Sequence, residues 1–182
     1  PDDGTFYIRD WFRWYDTPPK HLDIYICSDF AVTDGGGDFT EHGVFGIDPN
    51  SNIYLIDWWS GQTTADVWID ALLDLCSQHK PFAWFGEAGQ IRRAIEPFLE
   101  RRKRERGVYV RTEWISSIAD KPTRARGFQG RAAGGKVYIP TNQDWAQEVL
   151  RQLLAFPAGK YDDKVDVCST IGMVLDQAHP AM

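Results

Sequence analysis

Acidic residues stand at three separated places in this chain, each at the end or edge of an apolar segment. Asp29 closes Ile24-Tyr25-Ile26-Cys27-Ser28, and Glu87 closes Phe82-Ala83-Trp84-Phe85-Gly86. Asp162, Asp163 and Asp166 open a segment with helical periodicity. Two strand ends and one helix start that converge would make a nest of hard oxygen donors without Cys or His. Such a nest suits Mg²⁺ or Mn²⁺. Two ions sharing carboxylates can clamp the attacking and leaving oxygens of a phosphodiester.

Each acid also has a plainer use. Asp at a strand-to-loop junction is a common turn former. Glu87 ends a strand so apolar that its carboxylate must be exposed or paired, and it could cap the helix that follows. Three acids in a first turn suit the positive end of a helix. Yet Asp166 shares a helix face with Asp162 and with Asp163, and like charges there repel unless a cation sits between them. Val165 and Cys168 should face the core, which puts Asp166 at the edge of the buried stripe.

The net charge of −6 argues at first against nucleic acid, but its distribution does not. Of 20 Lys and Arg, 13 lie between Arg92 and Lys136 against five acids, so that segment carries about +8 and the rest about −14. Basic surface beside metal-binding acids is what phosphodiester cleavage requires. Arg101-Arg102-Lys103-Arg104 equally fits a solvated helix end.

A length of 182 residues gives one domain with a sizeable core. Eight Trp point to an aromatic-rich core or to an aromatic docking surface. Three scattered Cys without C-x-x-C argue against zinc and disulfides and for a reducing compartment. No apolar run approaches the ~20 residues of a membrane span, and no signal peptide is visible. The chain begins at Pro1, which reads as a piece of something longer. Phe6 to Pro19 reads as an arm or linker from an upstream domain.

The elements follow from periodicity and turn residues. Strands are expected at Leu22 to Ala31, His42 to Asp48 and Asn52 to Trp59, with Asp48-Pro49-Asn50-Ser51 as a tight turn. A helix begins at Thr63 and stops at Lys80-Pro81. Phe82 to Glu87 is a buried strand, and Ala88 to Arg106 a helix that Pro97 should kink or break. Val108 to Ile115 is a fifth strand. Asp120 to Arg131 is a basic helix, Lys136 to Ile139 a short extended piece, and Asp144 to Phe156 and Asp162 to Gln177 are helices. A three-strand meander followed by alternating units gives an α/β fold with a mixed sheet and helices on both faces. Two glycine-rich stretches are decoys. Gly130 to Lys136 has phosphate-loop spacing, but Val137 stands where Ser or Thr belongs and no helix follows. Gly35-Gly36-Gly37 also lacks a following helix.

Ser28-Asp29-Phe30-Ala31, Gly86-Glu87, Lys121-Pro122-Thr123-Arg124-Ala125, Gly135 to Pro140, and Phe156-Pro157-Ala158-Gly159 running into Asp162-Asp163-Lys164-Val165-Asp166 occur in that order. This series resembles the C-terminal nuclease domain of tailed-bacteriophage terminase large subunits, from Leu22 onward. The resemblance implies an RNase H-like fold at residues 21–182, with 1–20 as a linker from an upstream ATPase domain. It implies a metal-dependent endonuclease that cuts concatemeric double-stranded viral DNA in the cytoplasm of an infected bacterium. Portal protein and small terminase subunit are the implied partners, with no membrane.

By the same resemblance, Asp29, Glu87 and Asp163 match the metal-binding catalytic acids, and Asp166 a fourth. Asp162 departs in type, because relatives often carry His there. Lys121 and Arg124 match a basic pair near the site, and with Arg126 and Arg131 they are the expected DNA contacts. Two Mg²⁺ or Mn²⁺ ions are the expected cofactors. A junction resolvase or transposase core, and a non-catalytic docking module of a packaging motor, are the rival readings.

Overall fold

The computed structural model describes residues 5–31, 39–116 and 119–178. The elements run β1 (Arg13–Tyr15), β2 (Asp23–Asp29), β3 (Thr40–Ile47), β4 (Ile53–Gly61), α1 (Ala65–His79), β5 (Ala83–Glu87), α2 (Gln90–Arg106), β6 (Thr112–Ile115), α3 (Lys121–Ala133), β7 (Val137–Pro140), α4 (Asp144–Ala155) and α5 (Asp163–Ala178). All seven strands form one sheet in the order β1-β7-β4-β3-β2-β5-β6.

The expected meander is its centre: β2 pairs antiparallel with β3, and β3 with β4. The turn between β3 and β4 is held by Asp48, whose Oδ1 accepts from the backbone N–H of Asn50 and Asn52 at 2.9 Å each. Parallel additions then extend both edges. β5 joins β2 and β6 joins β5. β7 joins β4, and β1 joins β7.

Alternation along the strands builds two cores. Ile26, Val44 and Trp84 pack against Trp68, Ile69 and Leu72 of α1 and Ile95 and Leu99 of α2. Their chain neighbours Cys27, Phe45 and Phe85 point the other way, into a larger core with α3, α4 and α5. Trp58, Trp68 and Trp84 are buried, so tryptophan serves the interior first. Two glycines let α5 lie close. A Cβ on Gly43 of β3 would stand 2.8 Å from Val167, and one on Gly172 would stand 2.5 Å from the backbone nitrogen of Phe128 in α3.

Three expectations are adjusted. The segment read as an arm folds into the domain: Tyr7 and Phe12 are buried, and Arg13–Tyr15 is an edge strand. α2 continues through Pro97, which is exposed, so water can take the Arg93 carbonyl that the ring leaves unpaired. β6 begins only at Thr112; just before it, the carbonyl of Val110 accepts from the Lys103 ammonium at 2.9 Å. The Gly35-Gly36-Gly37 turn lies outside the described residues. No helix among the described residues is long and apolar enough to cross a membrane.

Candidate metal centre

β2 and β5 are parallel neighbours with Ser28 beside Gly86. One residue further, Asp29 and Glu87 therefore stand side by side at the carboxyl ends of the two strands. Cys27 and Phe85 face α5, so by the two-residue period Asp29 and Glu87 face it as well. α5 is anchored there by Val165, Val167, Cys168 and Ile171, all fully buried. Its first turn is thereby brought over the strand ends. Asp29, Asp163 and Asp166 each offer an oxygen, and these oxygens lie within 4.8 Å of one another. Glu87 lines the same cleft with Asp29, Asp166 and Arg124.

The electrostatics record the crowding. Burial pushes the Asp29 carboxyl well above the carboxylate range, and Asp166, Asp163 and Glu87 push it further. Asp163 is raised to about 6, by burial first and then by Glu41, Asp162 and Asp166. Asp166 is also raised by burial, against the pull of Lys121. Without a cation, burial and mutual repulsion disfavour the ionised forms of these groups. Hard oxygen donors at this spacing, each destabilised as an anion by the others, fit a divalent ion such as Mg²⁺ or Mn²⁺.

The remaining expected residues separate into those at the nest and those away from it. Lys121 donates to Asp162 Oδ1 at 2.8 Å and to Asp166 Oδ2 at 3.0 Å. Burial alone would lower the Lys121 ammonium, but these two bonds outweigh it and hold its pKa above the ordinary range. Asp162 is thus turned to Lys121 and is not one of the close trio. Arg124 Nη1 lies 3.7 Å from Glu87 Oε1, and its buried Nε has no partner. Arg126 stacks over Phe6 and bonds Gln129. Arg131 pairs with Asp176 at 2.5 Å, about 20 Å along α5 from Asp163 at ~1.5 Å per residue. The structure therefore does not bring Arg131 to the nest. The basic excess of the sequence is also largely met by acids, as where Arg102 and Arg106 hold Asp70 of α1.

Sequence reasoning missed Glu41. It pairs in register with Asp29 and shares its face, yet it is only 1% exposed. Lys164 donates to Glu41 Oε1 at 2.8 Å, Trp58 Nε1 to the same oxygen at 2.8 Å, and Ser60 to Oε2 at 2.7 Å. The pair ties α5 to β3 one residue from Asp163. The available signal was an acid at the head of an apolar strand, which demands a partner.

No protein-family model and no curated protein matches this sequence. Solved structures match in shape. The large terminase nuclease from thermophilic phage G20c, in a structure with bound zinc, gives a TM-score of 0.63 at 12% identity, over 92% of this chain and 95% of that one. The Thermus phage P74-26 large terminase nuclease domain gives 0.58 at 12% identity, over 88% and 89%. RuvC of Thermus thermophilus gives 0.52 at 9% identity, over 87% and 97%. At such identities the likeness establishes the fold. The chain has the RNase H-like α/β architecture that phage terminase nucleases share with RuvC.

Proposed function

We propose that this chain is a divalent-metal-dependent endonuclease that cuts double-stranded viral DNA during genome packaging. The observation that carries the reading is the meeting of Asp29, Asp163 and Asp166 within 4.8 Å, beside Glu87. Support comes from the fold shared with the G20c nuclease, whose structures hold zinc, magnesium or cobalt. When bound, Mg²⁺ or Mn²⁺ supplies Lewis acidity and an activated water. Asp29 would contribute oxygen to both ions of a pair. Glu87 would hold one ion and orient the attacking water, and Asp163 with Asp166 would hold the other, toward the leaving group. Arg124, whose Nε is unpartnered, offers donors to a phosphate, and Arg126 extends that grip; such contacts bind largely without regard to sequence and weaken with salt. An upstream ATPase domain, the portal and the small subunit complete the proposed setting, in the cytoplasm of an infected bacterium.

Plasmid incubated with Mg²⁺, Mn²⁺ or chelator, using wild type and Asp163→Ala, tests the reading. Metal-dependent cutting by wild type alone is expected. Cutting confined to four-way junctions would favour the resolvase alternative. No Mn²⁺ binding at millimolar concentration together with no nicking would leave a docking module.

A further inference from the structure

Five carboxylates gather at the mouth of β2 and β5, and one ammonium is set among them. Lys121 Nζ bonds both Asp162 and Asp166, at 2.8 and 3.0 Å. Asp166 belongs at once to this pairing and to the close trio with Asp29 and Asp163. An ammonium is a compact point charge on a flexible four-carbon stem, so it can fill a cation position without being built into the fold. Lys121 is more exposed than either acid it bonds, with 42% of its side chain open against 24% for Asp162 and 15% for Asp166.

Its backbone is fixed independently of that contact. Asp120 caps α3 by accepting from the backbone N–H of Thr123 at 2.8 Å, and Pro122 occupies the first turn. Further along, Gly172 seats α3 on α5. Withdrawal of the ammonium therefore requires rotation of one side chain and no shift of a helix.

We infer that Lys121 is an internal stand-in for a divalent ion: it holds Asp162 and one oxygen of Asp166 until a second ion displaces it. The inference rests on the nuclease reading and deepens it. Asp29 and Glu87 take the first ion with Lys121 in place, and the second is the one that Asp163 and Asp166 hold. Loading of the second ion is a competition with Lys121, and Asp162 becomes a ligand only when Lys121 has left. Lys121 is on this account a regulator of metal occupancy rather than a phosphate contact.

Calorimetric titration of Mn²⁺ into wild type, Lys121→Met and Lys121→Arg, at fixed pH and salt, tests this. Lys121→Met should bind the second ion about tenfold more tightly than wild type, the scale of one lost ~1.4 kcal/mol competitor. Lys121→Arg keeps the cation and should stay near wild type. Adding Asp162→Asn to Lys121→Met should return the affinity to about the wild-type value. In chelator, Lys121→Met should melt below wild type, because repulsion among the acids is uncovered, and Mn²⁺ should raise its melting temperature further. Second-ion binding by Lys121→Met no tighter than wild type overturns the inference while leaving the nuclease reading intact. Absence of any Mn²⁺ binding by wild type overturns the nuclease reading itself.

Discussion

Ser28 and Asp29 are neighbours in β2, and His42 and Glu41 are the residues opposite them in β3. The two faces of the sheet treat these pairs in opposite ways. On the α1 face, Trp84 Nε1 donates to Ser28 Oγ at 2.8 Å, the Ser28 hydroxyl meets His42 Nδ1 at 2.5 Å, and His42 Nε2 meets the Trp68 carbonyl at 2.9 Å. A carbonyl only accepts, so Nε2 carries the proton and Nδ1 accepts from Ser28. Every group is neutral and satisfied. On the α5 face, Glu41 has its cation in Lys164, while Asp29 meets further carboxylates. One face is complete within the protein; the other is left short of positive charge, a shortage that a bound divalent ion would meet.

Breaking the charged face where it is complete should have the largest effect. Lys164→Met strands Glu41 as a buried anion and should lower stability by about 3–5 kcal/mol in urea unfolding. Adding Glu41→Gln should restore most of the loss. Next, Asp29→Asn should reduce Mn²⁺-dependent plasmid cutting by at least about 100-fold, the upper range for changes even one shell further out. The same variant should melt higher than wild type in chelator, because one repelling charge is gone. Breaking the neutral face should act on stability alone. Ser28→Ala strands His42 Nδ1 and Trp84 Nε1 and should cost about 1–3 kcal/mol, with Mn²⁺ affinity unchanged by calorimetry.

The subtlest contrast is in pH. Asp163 is raised from 3.8 to about 6, so between those values the folded protein holds more protons than the unfolded chain, and stability falls as pH rises. His42 is lowered by burial from 6.5 to about 4, so across nearly the same window the unfolded chain holds more protons, and stability rises. In chelator the two trends oppose. Bound Mn²⁺ should cancel the first and leave the second, so the melting-temperature difference between Mn²⁺ and chelator should widen from pH 4 to 6. A constant difference would mean that the ion binds away from Asp163.

Much of this was legible in the chain. The meander followed from three apolar runs joined by turn residues, and Asp29 of β2 and Glu87 of β5 stood out as candidates because each closes an otherwise apolar strand. Less legible were the outer strands. Arg13–Tyr15 is too short to show a period, and it is a strand only because β7 lies beside it. The basic segment misled in part, since a count of charges along the chain is blind to Asp70 and Asp176 arriving from other helices.

The sequence by itself determined which residues could be buried and which carboxylates stood at element ends, because periodicity and composition are local. Only the tertiary structure decided that β2 and β5 run side by side, that α5 is drawn in over Gly43, and that Asp162 turns to Lys121 while Asp163 and Asp166 turn to Asp29. Distances among charges far apart in the chain are set by packing, and packing is a property of the whole core.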